Sequence, residues 1–182
     1  VFRIDLPLRP DPASRGIAIS AQTALDYYER SGQNGERAML IKGRPCAGDI
    51  AAGEAILNEL APFVWRKYLD FASVADVHAM KRQINAFRGH GEIAVEGHNI
   101  KLGRGGIREI EFFAQTQQLI AGGRNPHLRG RDTLGTPVRL CADRLIDEAA
   151  RDDLQAAYCF LRSVEHRPPT VYDGQTQVLR RL

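Results

Sequence analysis

Near the start of the chain one carboxylate stands among arginines, in Arg3-Ile4-Asp5-Leu6-Pro7-Leu8-Arg9-Pro10. Phe2, Ile4, Leu6 and Leu8 fall on one face of an alternating pattern, and Arg3, Asp5 and Arg9 fall on the other. Phosphoryl transfer needs such groups: carboxylates hold Mg2+ against phosphate oxygens, and cations neutralise developing charge. One carboxylate cannot do this alone, and the pattern by itself reads first as a solvated strand face with a local ion pair. A second concentration of charge is Lys101-Leu102-Gly103-Arg104-Gly105-Gly106-Ile107-Arg108-Glu109-Ile110-Glu111-Phe112. Backbone N–H groups at a helix start can receive an anion there, with Arg104 and Arg108 adding charge. The same spacing also describes a tight turn whose first-turn acids, Glu109 and Glu111, suit the helix dipole. It is not a P-loop, since G-x-x-x-x-G-K-[ST] does not occur. Arg108, Glu111, Gln115 and Gln118 are predicted to share a polar stripe, while Glu109, beside Phe112, Phe113 and Thr116, is expected to be half-buried and paired.

Other chemistries find no support. His78, His90, His98, His127 and His166 show no metal-ligand spacing. No serine lies in a G-x-S-x-G context. Cys46, Cys141 and Cys159 are odd in number and lack paired C-x-x-C spacing, so they are expected to be buried, reduced thiols of a cytoplasmic protein. The net charge of +3 is spread along the chain rather than concentrated, which gives nucleic-acid binding little footing. Apolar runs are a few residues long, far short of the roughly 20 that a membrane helix needs, and no signal-peptide pattern is read. Tyr27, Tyr28 and Trp65 lie in apolar helical patterns and read as core aromatics.

The elements that must position these residues are mainly helical, in an α+β chain overall. After the strand at 1–9 and a loop at 10–16, Ile17 and Ile19 suggest a second short strand, and Ser20 caps a helix through Leu25, Tyr28 and Glu29 that ends at 32–35. Residues 51–60 form a helix broken by Pro62 and resumed through Phe63, Trp65 and Leu69. Ser73 and Asp76 open a helix with a buried stripe of Val74, Val77, Met80, Ile84 and Phe87. Gly105-Gly106 leads into a helix through Ile107, Ile110, Phe113 and Leu119, closed by Gly122-Gly123. Asp147 caps a last long helix through Leu154, Tyr158, Leu161 and Glu165, which Pro168-Pro169 ends or kinks. The boundary between a small β part (1–49) and a helical domain (50–182) is expected near Asp49. Because the alternation is already under way at Val1, the chain reads as an internal piece whose natural start lies upstream.

Several collinear motifs resemble the glutamine synthetase adenylyltransferase family. They include Val1-Phe2-Arg3-Ile4-Asp5 with Leu8-Arg9-Pro10, Asp26-Tyr27-Tyr28, Glu36-Arg37, Lys42 with Arg44, and Pro62-Phe63-Val64-Trp65-Arg66-Lys67-Tyr68-Leu69-Asp70. Asn99 to Gly103, Gly105 to Phe112, Gln118-Leu119-Ile120 with Gly122-Gly123-Arg124, and Phe160-Leu161-Arg162 with Val164-Glu165-His166-Arg167 continue the series. The resemblance implies that residues 1–49 end a nucleotidyltransferase domain and 50–182 form its helical domain. It implies attachment of AMP from ATP to a tyrosine of glutamine synthetase, or removal by phosphorolysis giving ADP. The Gly105-to-Phe112 run looks more like the deadenylylating half, because the other half more often carries Asp where Glu109 stands.

By the same resemblance, Asp5 matches the third metal-binding carboxylate of a Mg2+ site whose first two belong to a Gly-Ser/Asp-x-Asp motif expected upstream. Arg3, Arg9, Lys42, Arg44, Lys101, Arg104 and Arg108 become candidate substrate and phosphate ligands, and Glu109 and Glu111 structural or paired acids. Glutamine synthetase and the PII signal protein are the implied partners, and a non-catalytic helical module docking either one is the alternative. Five departures bear on activity: Pro7 for a usual Arg, Gly35 for a usual Trp, Pro137 inside an expected helix, Pro168 where the helix normally continues, and Gly174 for a usual Glu.

Overall fold

The computed structural model describes residues 10–11, 16–67 and 98–166. The predicted strand at 1–9, with Arg3, Asp5, Pro7 and Arg9, lies outside these residues, as do the predicted helix through Val74 and Phe87 and the departures at Pro168 and Gly174. Among the described residues there are seven α-helices and one 3-10 turn, and no strand.

Helix α1, Ala21–Ser31, starts where the sequence predicts, because the Ser20 hydroxyl accepts the Thr23 N–H at 3.2 Å. The short strand expected at Ile17 and Ile19 does not form. Ile17 is 74% exposed and only Ile19 is half-buried, so the alternation does not bury a continuous apolar face. The predicted break at 32–35 is only two residues long, and Gly35 already lies inside α2, Asn34–Leu40. Glu36 opens that helix by accepting the Gln33 N–H at 2.9 Å. Asp49 caps α3, Ile50–Glu59, by accepting the Ala52 N–H at 2.9 Å. Pro62 sits in the first turn of α4, Ala61–Val64, where a missing N–H leaves no intrahelical bond unmade.

Helix α5 spans Ile107–Ala121. Its leading turn is wound by Asn99, whose Oδ1 accepts the N–H groups of Lys101 and Leu102 at 3.0 and 2.8 Å. Gly105 completes that turn at φ +72°, a left-handed conformation that only glycine adopts without strain. After α5 come a 3-10 turn at Pro126–Leu128, α6 at Gly135–Ala142, and α7 at Glu148–Glu165. Asp147 caps α7 as expected, its Oδ1 accepting the Ala150 N–H at 2.7 Å. Pro137 falls in the first turn of α6, where the N–H has no intrahelical acceptor in any case, so this departure is compatible with the helix.

Helix α2 packs against α4 and α5, α1 against α3, and α5 and α6 against α7. The core cluster is Ala38, Ile41, Val64 and Leu119, with Leu40, Phe63 and Trp65 against it. Tyr28 is buried and its ring lies 5.4 Å from that of Phe63, so the core-aromatic reading of Tyr28 and Trp65 holds. Within this core Arg37 is fully buried. Its Nε and Nη2 donate to the Val64 carbonyl at 3.3 and 3.0 Å, and Nη1 donates to Asn34 Oδ1 at 2.8 Å. Val64 is the last residue of α4, so its carbonyl has no acceptor role inside the helix, and the guanidinium satisfies it.

The end of α5 is closed by steric fit. Gly122 keeps helical backbone, but a Cβ there would stand 2.9 Å from the Trp65 ring, and one on Gly123 would stand 2.0 Å from the Arg66 carbonyl oxygen. Arg129 then donates from Nε to the Gly122 carbonyl at 2.6 Å while its guanidinium lies 5.5 Å over the Trp65 ring.

Candidate functional site

Lys42 stands in the turn that follows α2, which is fixed by backbone bonds from the Ile41, Lys42 and Gly43 N–H groups to the carbonyls of Arg37, Met39 and Leu40. The Lys42 ammonium donates to Thr133 Oγ1 at 2.8 Å and lies 3.7 Å from Glu111 Oε1. That carboxylate comes from α5. The same oxygen receives Arg162 Nη2 at 2.8 Å and the Tyr158 hydroxyl at 3.2 Å, both from α7. Arg162 also lies 5.2 Å over the Tyr158 ring, donates from Nε to the Tyr158 hydroxyl at 3.1 Å, and pairs through Nη1 with Glu165 Oε2 at 2.6 Å. Lys101, from the turn before α5, reaches Glu165 Oε1 at 3.4 Å.

The cluster therefore brings Lys42, Lys101 and Arg162 together with Glu111 and Glu165, three cations against two acids, for a surplus of one positive charge. Its layering is uneven. The acids are 14% and 17% exposed and the cations 34–36%, so carboxylates lie beneath and cations lie above. Burial opposes ionisation of both Arg162 and Glu165. For Arg162, hydrogen bonds to Tyr158 and Glu165 outweigh it and hold the pKa above its ordinary value. For Glu165, the Arg162 hydrogen bond and charge, with Lys101, outweigh it and hold the carboxyl below the usual range.

Of the predicted phosphate ligands, the structure gathers Lys42 and Lys101 into this cluster, whereas Arg44, Arg104 and Arg108 stand exposed outside it. Arg3, Arg9 and Asp5 lie outside the described residues. Glu109 is half-buried, and its Oε2 accepts the Gly105 N–H at 2.9 Å. Glu111 is paired with cations. Gln118, assigned to the same polar stripe, is 2% exposed and donates from Nε2 to the carbonyls of Leu128 and Gly130, both at 2.7 Å. The expectation of buried thiols is corrected: Cys46 and Cys159 are exposed and Cys141 half-buried, all of them free. Cys46 follows α2 in a loop, and Cys159 lies on the outer face of α7 beside Phe160, itself 66% exposed.

Arg162, Tyr158, Glu165 and Thr133 were not among the predicted site residues. Arg162 and Glu165 are three apart on one helix, a spacing that announces a local pair. Their meeting with Glu111 and Lys42 has no local signature. No group of three or more His, Cys, Asp or Glu side chains among the described residues is placed to hold a metal ion. Glu111 and Glu165 do not fit Mg2+, since each is already neutralised by cations.

Two family models match the chain: glutamate-ammonia ligase adenylyltransferase over residues 1–59, and GlnD PII-uridylyltransferase over residues 77–181. Curated relatives match almost end to end. A bifunctional glutamine synthetase adenylyltransferase/adenylyl-removing enzyme of Rhodopseudomonas palustris (strain TIE-1) is 64% identical over 98% of this chain. Proteins of the same description from Bradyrhizobium diazoefficiens and Mesorhizobium japonicum are 64% and 63% identical over the same share. The chain spans 18% of the length of each of these relatives. With 64% identity over nearly the whole of its length, the chain belongs to the glutamine synthetase adenylyltransferase family.

Proposed function

We propose that this chain is part of a nucleotidyltransferase that adds AMP to, or removes it from, a tyrosine of glutamine synthetase, with removal the favoured direction. The observation that carries the reading is the 64% identity over 98% of the chain to bifunctional adenylyltransferase/adenylyl-removing enzymes. In the removal reaction, phosphate attacks the adenylyl phosphorus, the tyrosyl oxygen leaves, and ADP forms. Asp5 is assigned to the metal, with Mg2+ as cofactor and ATP, or phosphate and ADP, as the small-molecule substrates. Arg3, Arg9, Lys42, Arg44, Lys101, Arg104 and Arg108 are the candidate phosphate-binding side chains. Residues 1–49 belong to the catalytic domain and 50–182 to the helical one, an assignment supported by the two family models meeting different parts of the chain. A cytoplasmic location follows from that substrate.

The test is a graft in which this chain replaces the matching segment of the Rhodopseudomonas palustris relative. The graft is expected to release ADP from adenylylated glutamine synthetase only when inorganic phosphate is present, and Asp5→Ala is expected to abolish the release. Full activity in the Asp5→Ala graft would overturn the assignment. The 182 residues alone are expected to be inactive, because two-metal phosphoryl transfer needs several converging carboxylates and only Asp5 stands at a matching position.

The match of residues 77–181 to PII-uridylyltransferases favours a second reading, in which the helical part docks a PII signal protein or glutamine synthetase without catalysing anything. Retained binding of PII by the isolated chain, alongside an Asp5→Ala graft of unchanged activity, would favour it.

A further inference from the structure

Glu111 Oε1 is the meeting point of three segments: the turn after α2 through Lys42, α7 through Arg162 and Tyr158, and α5 itself. Its two kinds of contact differ in what they secure. Arg162 has a second carboxylate partner in Glu165 at 2.6 Å, so it keeps an ion pair without Glu111. The carboxylate beside Lys42 among the described residues is Glu111, and the remaining anchor of that ammonium is the buried Thr133 hydroxyl. The clamp is stiff on the acid's side. Glu111 is 14% exposed and held by a guanidinium that is itself stacked on the Tyr158 ring. A lysine on a flexible four-carbon stem is fixed only by partners of this kind.

We infer that Glu111 is a positioning residue: its carboxylate, braced by Arg162 and Tyr158, fixes the Lys42 ammonium and the turn that carries it against α5 and α7. The functional half of this inference rests on the reading of Lys42 as a phosphate ligand. In the active graft, Glu111→Gln is expected to raise the KM for inorganic phosphate about tenfold with kcat little changed, the pattern left by loss of uniform binding. Lys42→Met is expected to do the same, and the double variant no more than either single one, since both remove one interaction. Additive effects, or a fall in kcat at constant KM, overturn the proposal. A readout independent of activity comes from amide exchange in the intact 182-residue chain. Glu111→Gln is expected to speed exchange in residues 39–44 while α7 keeps its protection, because Glu165 still holds Arg162. Unchanged exchange in residues 39–44 overturns the proposal whatever the graft does. A graft inactive with every native residue in place overturns the proposed function alone.

Discussion

Gln118 shows what a polar side chain costs when it is buried and what it does there. Its amide supplies both N–H groups to carbonyls of the 126–130 segment, so removing it strands one buried acceptor and one partly buried one. Gln118→Met, close in volume but without donors, is expected to destabilise the fold by about 2–3 kcal/mol. That corresponds to a Tm lower by about 5–10 °C in a chain of this size, checked by thermal denaturation. Asp132 acts similarly at the surface. Its Oδ2 accepts the Gly135 N–H at the start of α6 at 2.6 Å, and its Oδ1 accepts Arg139 Nη2 at 2.8 Å. The Arg139 hydrogen bond lowers the Asp132 pKa, against the opposing effect of burial. A depressed carboxyl contributes stability that is present above its unfolded pKa and lost as pH falls through the folded one. Asp132→Ala is therefore expected to lower the urea midpoint slightly at neutral pH, with the difference from the parent shrinking in titrations run below about pH 4.

At the scale of elements, helix starts were legible where one side chain decides them. Ser20 and Asp147 cap their helices as read, because a hydroxyl or carboxylate three residues ahead of an orphan N–H is a local instruction. Helix ends set by packing were legible only in part. Gly122-Gly123 was read correctly as the end of α5, yet the reason is the Trp65 ring and the Arg66 backbone rather than a left-handed residue. Gly123→Ala is accordingly expected to lower the urea midpoint more than an ordinary helix-terminal glycine substitution, since it forces Cβ against main chain that has no rotamer to yield. Conversely, the pair Ile17 and Ile19 imitated a strand in sequence, yet no strand forms there among the described residues. The site was less legible still. Lys42 and Lys101 were singled out, but Arg162 was not, because its bond to Glu111 joins α7 to α5 and depends on how those helices lie together.

Across the whole molecule, the response to alkali is set by a buried phenol. Burial of Tyr28, with Glu36 nearby, pushes its hydroxyl from 10.0 up to about 12. A raised pKa contributes stability that is complete below the unfolded value and lost as pH rises through the folded one. Unfolding followed by circular dichroism is thus expected to include a loss of stability between pH 10 and about 12, and Tyr28→Phe is expected to remove that component. Arg37 makes the junction between α2 and α4 through the Val64 carbonyl. The tryptophan beside that junction has an optical consequence. Trp65 is the one tryptophan of the sequence, and it touches the α2–α4–α5 core on one side and the Arg129 guanidinium on the other. Its fluorescence is consequently a single-site gauge of whether the N-terminal helices are seated, requiring no label, and Arg129→Ala probes its sensitivity by removing the guanidinium over the ring together with that side chain's bonds to the Gly122 and Gly123 carbonyls.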